Sequence, residues 1–259
     1  MAPRASKYRA AYLKRKQSSE SPAAELPKKT RRIPKDLLAK EKPFESGDTV
    51  KKPSPLDKKT LFIMRHGRTA LDPTNRSDGW LDLPLSDDGR VRLLTAQQFL
   101  KDIPLTQIYA PDFLRTSESA NLVASGTISR PEVVVSSDDA KTWNLGVFAG
   151  TQKKPNKPKV QYFMDHPDKV PEGGESYNHF CDRFFGWLGK VQDKVKNGGG
   201  PILLVLSGSN IRALSTKMTG DRDTLDLDEG GLLSLVFKDG KWDAKVLFGQ
   251  KDETNEWLS

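Results

Sequence analysis

LFIMRHGRT, residues 61–69, runs four bulky apolar residues directly into Arg65, His66 and Gly67. A short apolar run that stops at a turn signal predicts a buried strand. A strand that ends on side chains able to do chemistry predicts a site at the carboxyl edge of an α/β sheet. Gly67 is expected to let the backbone turn sharply there, presenting Arg65 and His66 at that edge. A second stretch, ILLVLSGSNIRAL at 202–214, follows the same pattern. Its apolar strand breaks at Ser207-Gly208-Ser209-Asn210 and resumes as a helix, with no titratable group before Arg212.

Strands and helices alternate between these two stretches. LSDDGRVRLLTAQQFLKD predicts a helix with Ser86 as its N-cap and Val91, Leu94, Phe99 and Leu100 on its apolar face. LTQIYAP predicts a strand, DFLRTSESANLVAS a helix with Arg115 at its start, and Val133 to Val135 a further strand. Gly173-Gly174-Glu175-Ser176 opens a helix that turns Phe180, Phe184 and Trp187-Leu188 inward, and the single cysteine, Cys181, is read as a core residue. LLSLVFKDG and WDAKVLFG predict an antiparallel hairpin turning at Asp239-Gly240. The predicted fold class is therefore α/β: a mostly parallel sheet with helices on both faces, a three-layer α/β/α arrangement. A basic extended arm precedes it.

The order of motifs resembles the histidine phosphatase superfamily, also called phosphoglycerate mutase-like. The resemblance rests on Arg65-His66-Gly67 followed by Asn75, Gly79-Trp80, Asp82 and LPLSDDG, on Arg115 in APDFLRTSESA, on WNLGVFAG, on PEGGES and on VLSGSNIRAL. It runs from about Leu61 to Trp257. It implies that His66 is a nucleophile forming a phosphohistidine, with Arg65 and Arg115 as the guanidinium forks on the phosphoryl oxygens. Gly67, Arg68, Asn75, Ser207 and Gly208 are the further expected phosphate or substrate contacts, with the Gly67 carbonyl fixing the His66 tautomer.

Two positions depart from the family pattern. Ser207 falls where the resemblance puts a second histidine, and a serine hydroxyl carries no positive charge. Thr142 falls where it puts a glutamate acid, four residues before Gly146, and threonine cannot protonate a leaving oxygen. Asp138, Asp139 and Glu175 are the stand-in acids near in sequence. His166 and His179 read as surface histidines. Three functions follow: a phosphomonoester hydrolase with weakened catalysis, a pseudoenzyme that binds a phosphorylated small molecule or phosphoprotein, or an assembly protein docked through its arm.

That arm, residues 1–60, holds 17 Lys and Arg against 7 Asp and Glu, while the whole chain carries +8, so the domain at 61–259 is close to neutral. Rich in Lys, Arg, Pro and Ser, the arm cannot bury enough apolar surface to offset chain entropy and reads as disordered alone. Tyr8, Ala11 and Tyr12 at helical spacing, and the cluster Lys28-Lys29-Thr30-Arg31-Arg32, point to nucleic acid or a large acidic complex as its partner. Sorting to an organelle or the nucleus, and virion association, are the alternatives to a cytoplasmic location. No run of ~18 apolar residues predicts a membrane span. No Cys/His cluster or Gly-rich nucleotide loop implies a metal or other cofactor.

Overall fold

The computed structural model describes residues 58–251. The arm and its basic clusters lie outside the described residues. Six strands form one sheet: β1 (Thr60–Arg65), β2 (Gln107–Pro111), β3 (Glu132–Ser136), β4 (Ile202–Leu206), β5 (Leu227–Lys238) and β6 (Lys241–Gln250), in the order β3-β2-β4-β1-β5-β6. The first four are mutually parallel, and β5 and β6 extend the sheet from β1 as an antiparallel pair.

Every residue of β1 is buried, which is why its sequence is continuously apolar rather than alternating. Side chains point to opposite faces in turn. Leu61 and Ile63 join a core with Phe180 and Phe184 of α4 (Tyr177–Lys194) and Leu214 of α5 (Gly208–Thr219). Phe62 and Met64 join the opposite core with Leu93 and Leu100 of α1 (Asp87–Leu100) and Val123 of α2 (Leu114–Gly126). Ser86 caps α1, its hydroxyl accepting from the Gly89 N–H at 3.2 Å, and Asp87 and Asp88 sit favourably in the first turn.

The hairpin closes at Asp239 and Gly240, both at positive φ (51° and 80°), as a two-residue turn of this hand requires. β5 begins at Leu227, five residues before the LLSLV run expected to form it. Gly230 and Gly231 interrupt the sequence pattern there, but the strand passes through them with a register irregularity against β6. Gly67 needs a different explanation from the sharp turn expected of it. Its φ is not positive; a Cβ there would lie 2.6 Å from the Gly89 carbonyl oxygen, so its smallness lets α1 approach β1. Cys181 is half-buried at the edge of a core rather than within it.

One helix was not foreshadowed. α3 (Lys153–Asp165) forms from KKPNKPKVQYFMD, and none of its residues is buried. Its start is pinned by backbone bonds from Ser77 N to Thr151 O and from Lys153 N to Asn75 O, both 2.9 Å. Its far end meets Arg222, whose Nη1 donates to Gln161 at 3.2 Å.

Candidate active site

β1 and β4 are adjacent and parallel, so their carboxyl ends lie side by side. The His66 N–H donates to Leu206 O at 3.0 Å and prolongs the ladder by one bond, setting His66 beside Ser207. A cavity of about 550 Å³ opens at this edge. Among its lining residues are Arg65, His66, Arg68, Asn75, Arg115, Ser207 and Gly208. Gly67 is not among them: its carbonyl meets the His66 ring, and its N–H donates to Ser119 Oγ at 3.0 Å. It supports the site without facing the cavity.

The His66 ring is fixed by one bond. Nδ1 lies 2.8 Å from Gly67 O, and since a carbonyl only accepts, Nδ1 carries the hydrogen and Nε2 keeps its lone pair. Burial pushes the His66 pKa down to about 4, helped by the nearby charge of Arg115, so the ring is neutral at physiological pH.

Each arginine is held by its outer nitrogens. Arg65 Nη1 donates to Leu227 O at 2.6 Å and Nη2 to Glu229 Oε1 at 2.5 Å. Arg115, wholly buried at the start of α2, donates from Nη1 to Leu81 O and from Nη2 to Gly79 O at 2.7 and 2.8 Å. In both, the buried Nε makes no hydrogen bond. Arg115 Nε faces Asp78 Oδ2 at 3.9 Å, whereas Arg65 Nε has no such partner; an unpaired buried N–H on a cation is costly, and one beside the cavity suits an oxyanion. The start of α5 adds the backbone N–H groups of Gly208 and Ser209, which have no acceptor one turn back, and both residues line the same cavity.

The carboxylates here escaped the motif reading. Asp72, Asp78 and Glu229 all line the cavity. Glu229 also lies 3.6 Å from Arg68 Nε. Burial alone would raise its pKa, but Arg65 more than reverses this and holds it well below the usual range. Asp72 accepts from Thr69 N at 2.7 Å and faces Lys153 at 3.6 Å. Burial, then the neighbouring Asp78 and Glu229, push the Asp72 carboxyl up to about 6. No spacing rule ties Asp72 or Glu229 to Arg65-His66-Gly67; the one local signal was a charged residue inside a strand pattern at 227–235.

The carboxylates proposed from sequence proximity do not reach the cavity. Asp138 is exposed and pairs with Lys141 at 2.7 Å, and Asp139 is half-buried without lining the cavity. Glu175 accepts from Asn144 N at 2.8 Å and from Arg183 at 2.5 Å. Burial opposes the Glu175 charge, yet Arg183 and these bonds lower its pKa, so it is a structural anion. Thr142 does line the cavity, its carbonyl accepting from Trp80 Nε1 at 2.7 Å. His166 stacks on Tyr162 and His179 bonds Glu175 at 2.9 Å; both are exposed and neither lines the cavity. Arg212 lines it while pairing with Asp226 at 2.9 Å.

Known proteins resemble this chain in sequence and fold. The family model of the histidine phosphatase superfamily (branch 1) matches residues 61–248. A metal-independent phosphoserine phosphatase of Arabidopsis thaliana is 24% identical over 209 residues, covering 78% of this chain and 85% of that protein. A 2,3-bisphosphoglycerate-dependent phosphoglycerate mutase of Chlamydia caviae is 30% identical over 211 residues, covering 70% of this chain and 90% of that one. The crystal structure of a phosphoglycerate mutase from Bacillus anthracis has the same fold, with a TM-score of 0.63 over 72% of this chain and 91% of its own, at 24% identity. With the motif order, the sheet topology and the matched span in agreement, the chain belongs to the histidine phosphatase superfamily.

Proposed function

We propose that the domain is a phosphomonoester hydrolase that works through a phosphohistidine at His66, with turnover slowed by its departures at positions 142 and 207. The observation that carries this reading is the bond from His66 Nδ1 to Gly67 O, which leaves a neutral Nε2 in a cavity also lined by Arg65 and Arg115. Nε2 attacks phosphorus, and the bond from phosphorus to the ester oxygen breaks. The departing alcohol takes a proton. Water then attacks phosphorus as the phosphorus–nitrogen bond breaks, gives a proton to the group that protonated the alcohol, and inorganic phosphate leaves with His66 neutral again.

Thr142 cannot give that proton, and Glu229 is held ionised by Arg65. Burial and its acidic neighbours push the Asp72 carboxyl up to about 6, which leaves a minor protonated fraction at neutral pH, and Asp72 serves as the acid. Ser207 supplies one neutral hydrogen bond where a cation would stabilise the transferring group better, a loss worth ~10²-fold or more in rate. The test is acid-quenched intact mass after mixing with an aryl phosphate. A covalent phosphoryl adduct that vanishes in His66→Ala supports the reading, while turnover that survives His66→Ala ends it.

A second reading, a binding protein without turnover, is favoured by the charge of the cavity lining, where ten Lys and Arg meet four Asp and Glu, a surface that holds an anion whether or not it is hydrolysed. It predicts vanadate or phosphate protection of the melting temperature with no product formed.

A further inference from the structure

α3 lays one face along the cavity, and that face changes character along its length. Lys153, Asn156, Lys157, Val160, Gln161 and Met164 follow the i, i+3, i+4 spacing of one helical stripe, and all six line the cavity. The first turns are basic and tied to the arginine-bearing floor through Lys153 and Asp72. The last turns present Val160 and Met164.

These two side chains are half-buried at the edge of a core, on a helix with no buried residue of its own. Trp143, Leu145, Phe148 and Tyr177 line the same cavity. Together they make an apolar wall reached from the same opening as His66. The cations at that end are already engaged: Arg212 with Asp226 at 2.9 Å, and Arg222 with Asp223 at 3.6 Å. The carboxylate or ammonium of a small phospho-acid would gain nothing from Val160, Met164 and these rings and would leave the apolar wall bare. At about 550 Å³ the cavity has the size of those that enclose ligands far larger than a phosphoryl group.

We propose that the site takes a phosphomonoester of a bulky apolar alcohol, its phosphoryl group between Arg65 and Arg115 and its body against Val160, Met164 and the aromatic wall. This rests on the phosphoester reading above. α3 then acts as the element that reads the alcohol.

The test is calorimetric binding of three non-hydrolysable phosphonates to the full chain: methylphosphonate, 1-naphthylmethylphosphonate and 2-amino-4-phosphonobutanoate. Burying the naphthyl body is expected to tighten binding about tenfold or more over methylphosphonate, with the amino acid analogue no better than methylphosphonate. The double variant Val160→Ser/Met164→Ser, on a helix with no buried residue, is expected to erase the naphthyl preference and leave methylphosphonate affinity in place. Binding of methylphosphonate without an apolar preference, or a preference that survives the double variant, overturns this proposal alone. No binding by any of the three brings down the phosphoester reading and this one with it.

Discussion

Arg65 at the end of β1 and Glu229 in β5 stand 164 residues apart in the chain and 2.5 Å apart in the fold. Because Glu229 also approaches Arg68, one carboxylate on the antiparallel extension of the sheet orients two cations that the parallel half supplies.

Removing that charge has two separable consequences. Glu229→Gln leaves Arg65 buried without its counter-ion, so stability falls by about 3 kcal/mol in urea unfolding. The same change makes the cavity more positive, and phosphate is expected to protect the variant more strongly than the parent. A stability loss with weaker phosphate protection would show that Glu229 instead holds Arg65 in its binding pose.

His66 predicts an acid limb in stability. Its folded pKa, about 4, lies below the ordinary 6.5, so the folded state binds fewer protons than the unfolded chain. Its contribution is complete above pH 6.5 and is lost as pH falls towards 4. Unfolding measured across that range is expected to flatten in His66→Gln, and an unchanged slope would mean the ring titrates normally.

Asp72 predicts the opposite sign. Its folded pKa of about 6 lies above the ordinary 3.8, so stability falls as pH rises between these values. Asp72→Asn is expected to gain roughly 2–3 kcal/mol at pH 7.5, and to bind phosphate more tightly there. If Asp72 protonates the leaving group, the same variant loses hydrolysis of alkyl phosphates by about 10²-fold, while aryl esters, with better leaving groups, suffer less. Equal losses for both classes would remove Asp72 from the acid role.

Ser207→His tests the departure proposed at the position the resemblance gives to a second histidine. Ser207 sits at the cap of α5 next to His66 and lines the cavity. A histidine there supplies a stronger donor to the transferring group, and aryl phosphate turnover is expected to rise ~10²-fold. No change in rate would show that the N–H groups at the start of α5 already do what that side chain would do.

Much of the fold was written in local pattern. β1 and β4 announced themselves as short apolar runs because both are buried throughout in the middle of a covered sheet, while the edge strand β3 was legible from its valines although only Ser136 is buried; the caps and turn at Ser86, Ser176 and Asp239-Gly240 are set by interactions within a few residues. His66, Arg65 and Arg115 were legible for the same reason: each is attached to the start or end of an element that its neighbours specify. Other features depended on distance. Whether Asp138, Glu175, Asp72 or Glu229 reaches the cavity is decided by how loops and strands far apart in sequence meet, and the raised Asp72 pKa exists only because folding strips its water and brings Asp78 and Glu229 near. α3 was unreadable because Pro155 and Pro158 oppose a helix locally, and its apolar residues are at most half-buried, at the edge of a core and along a cavity. Sequence alone determined the parallel strands, the order of motifs and the place of His66 at a strand end; tertiary structure decided the order of the strands, which charges surround His66 and what covers it, because electrostatics and cavity walls are properties of neighbours in space.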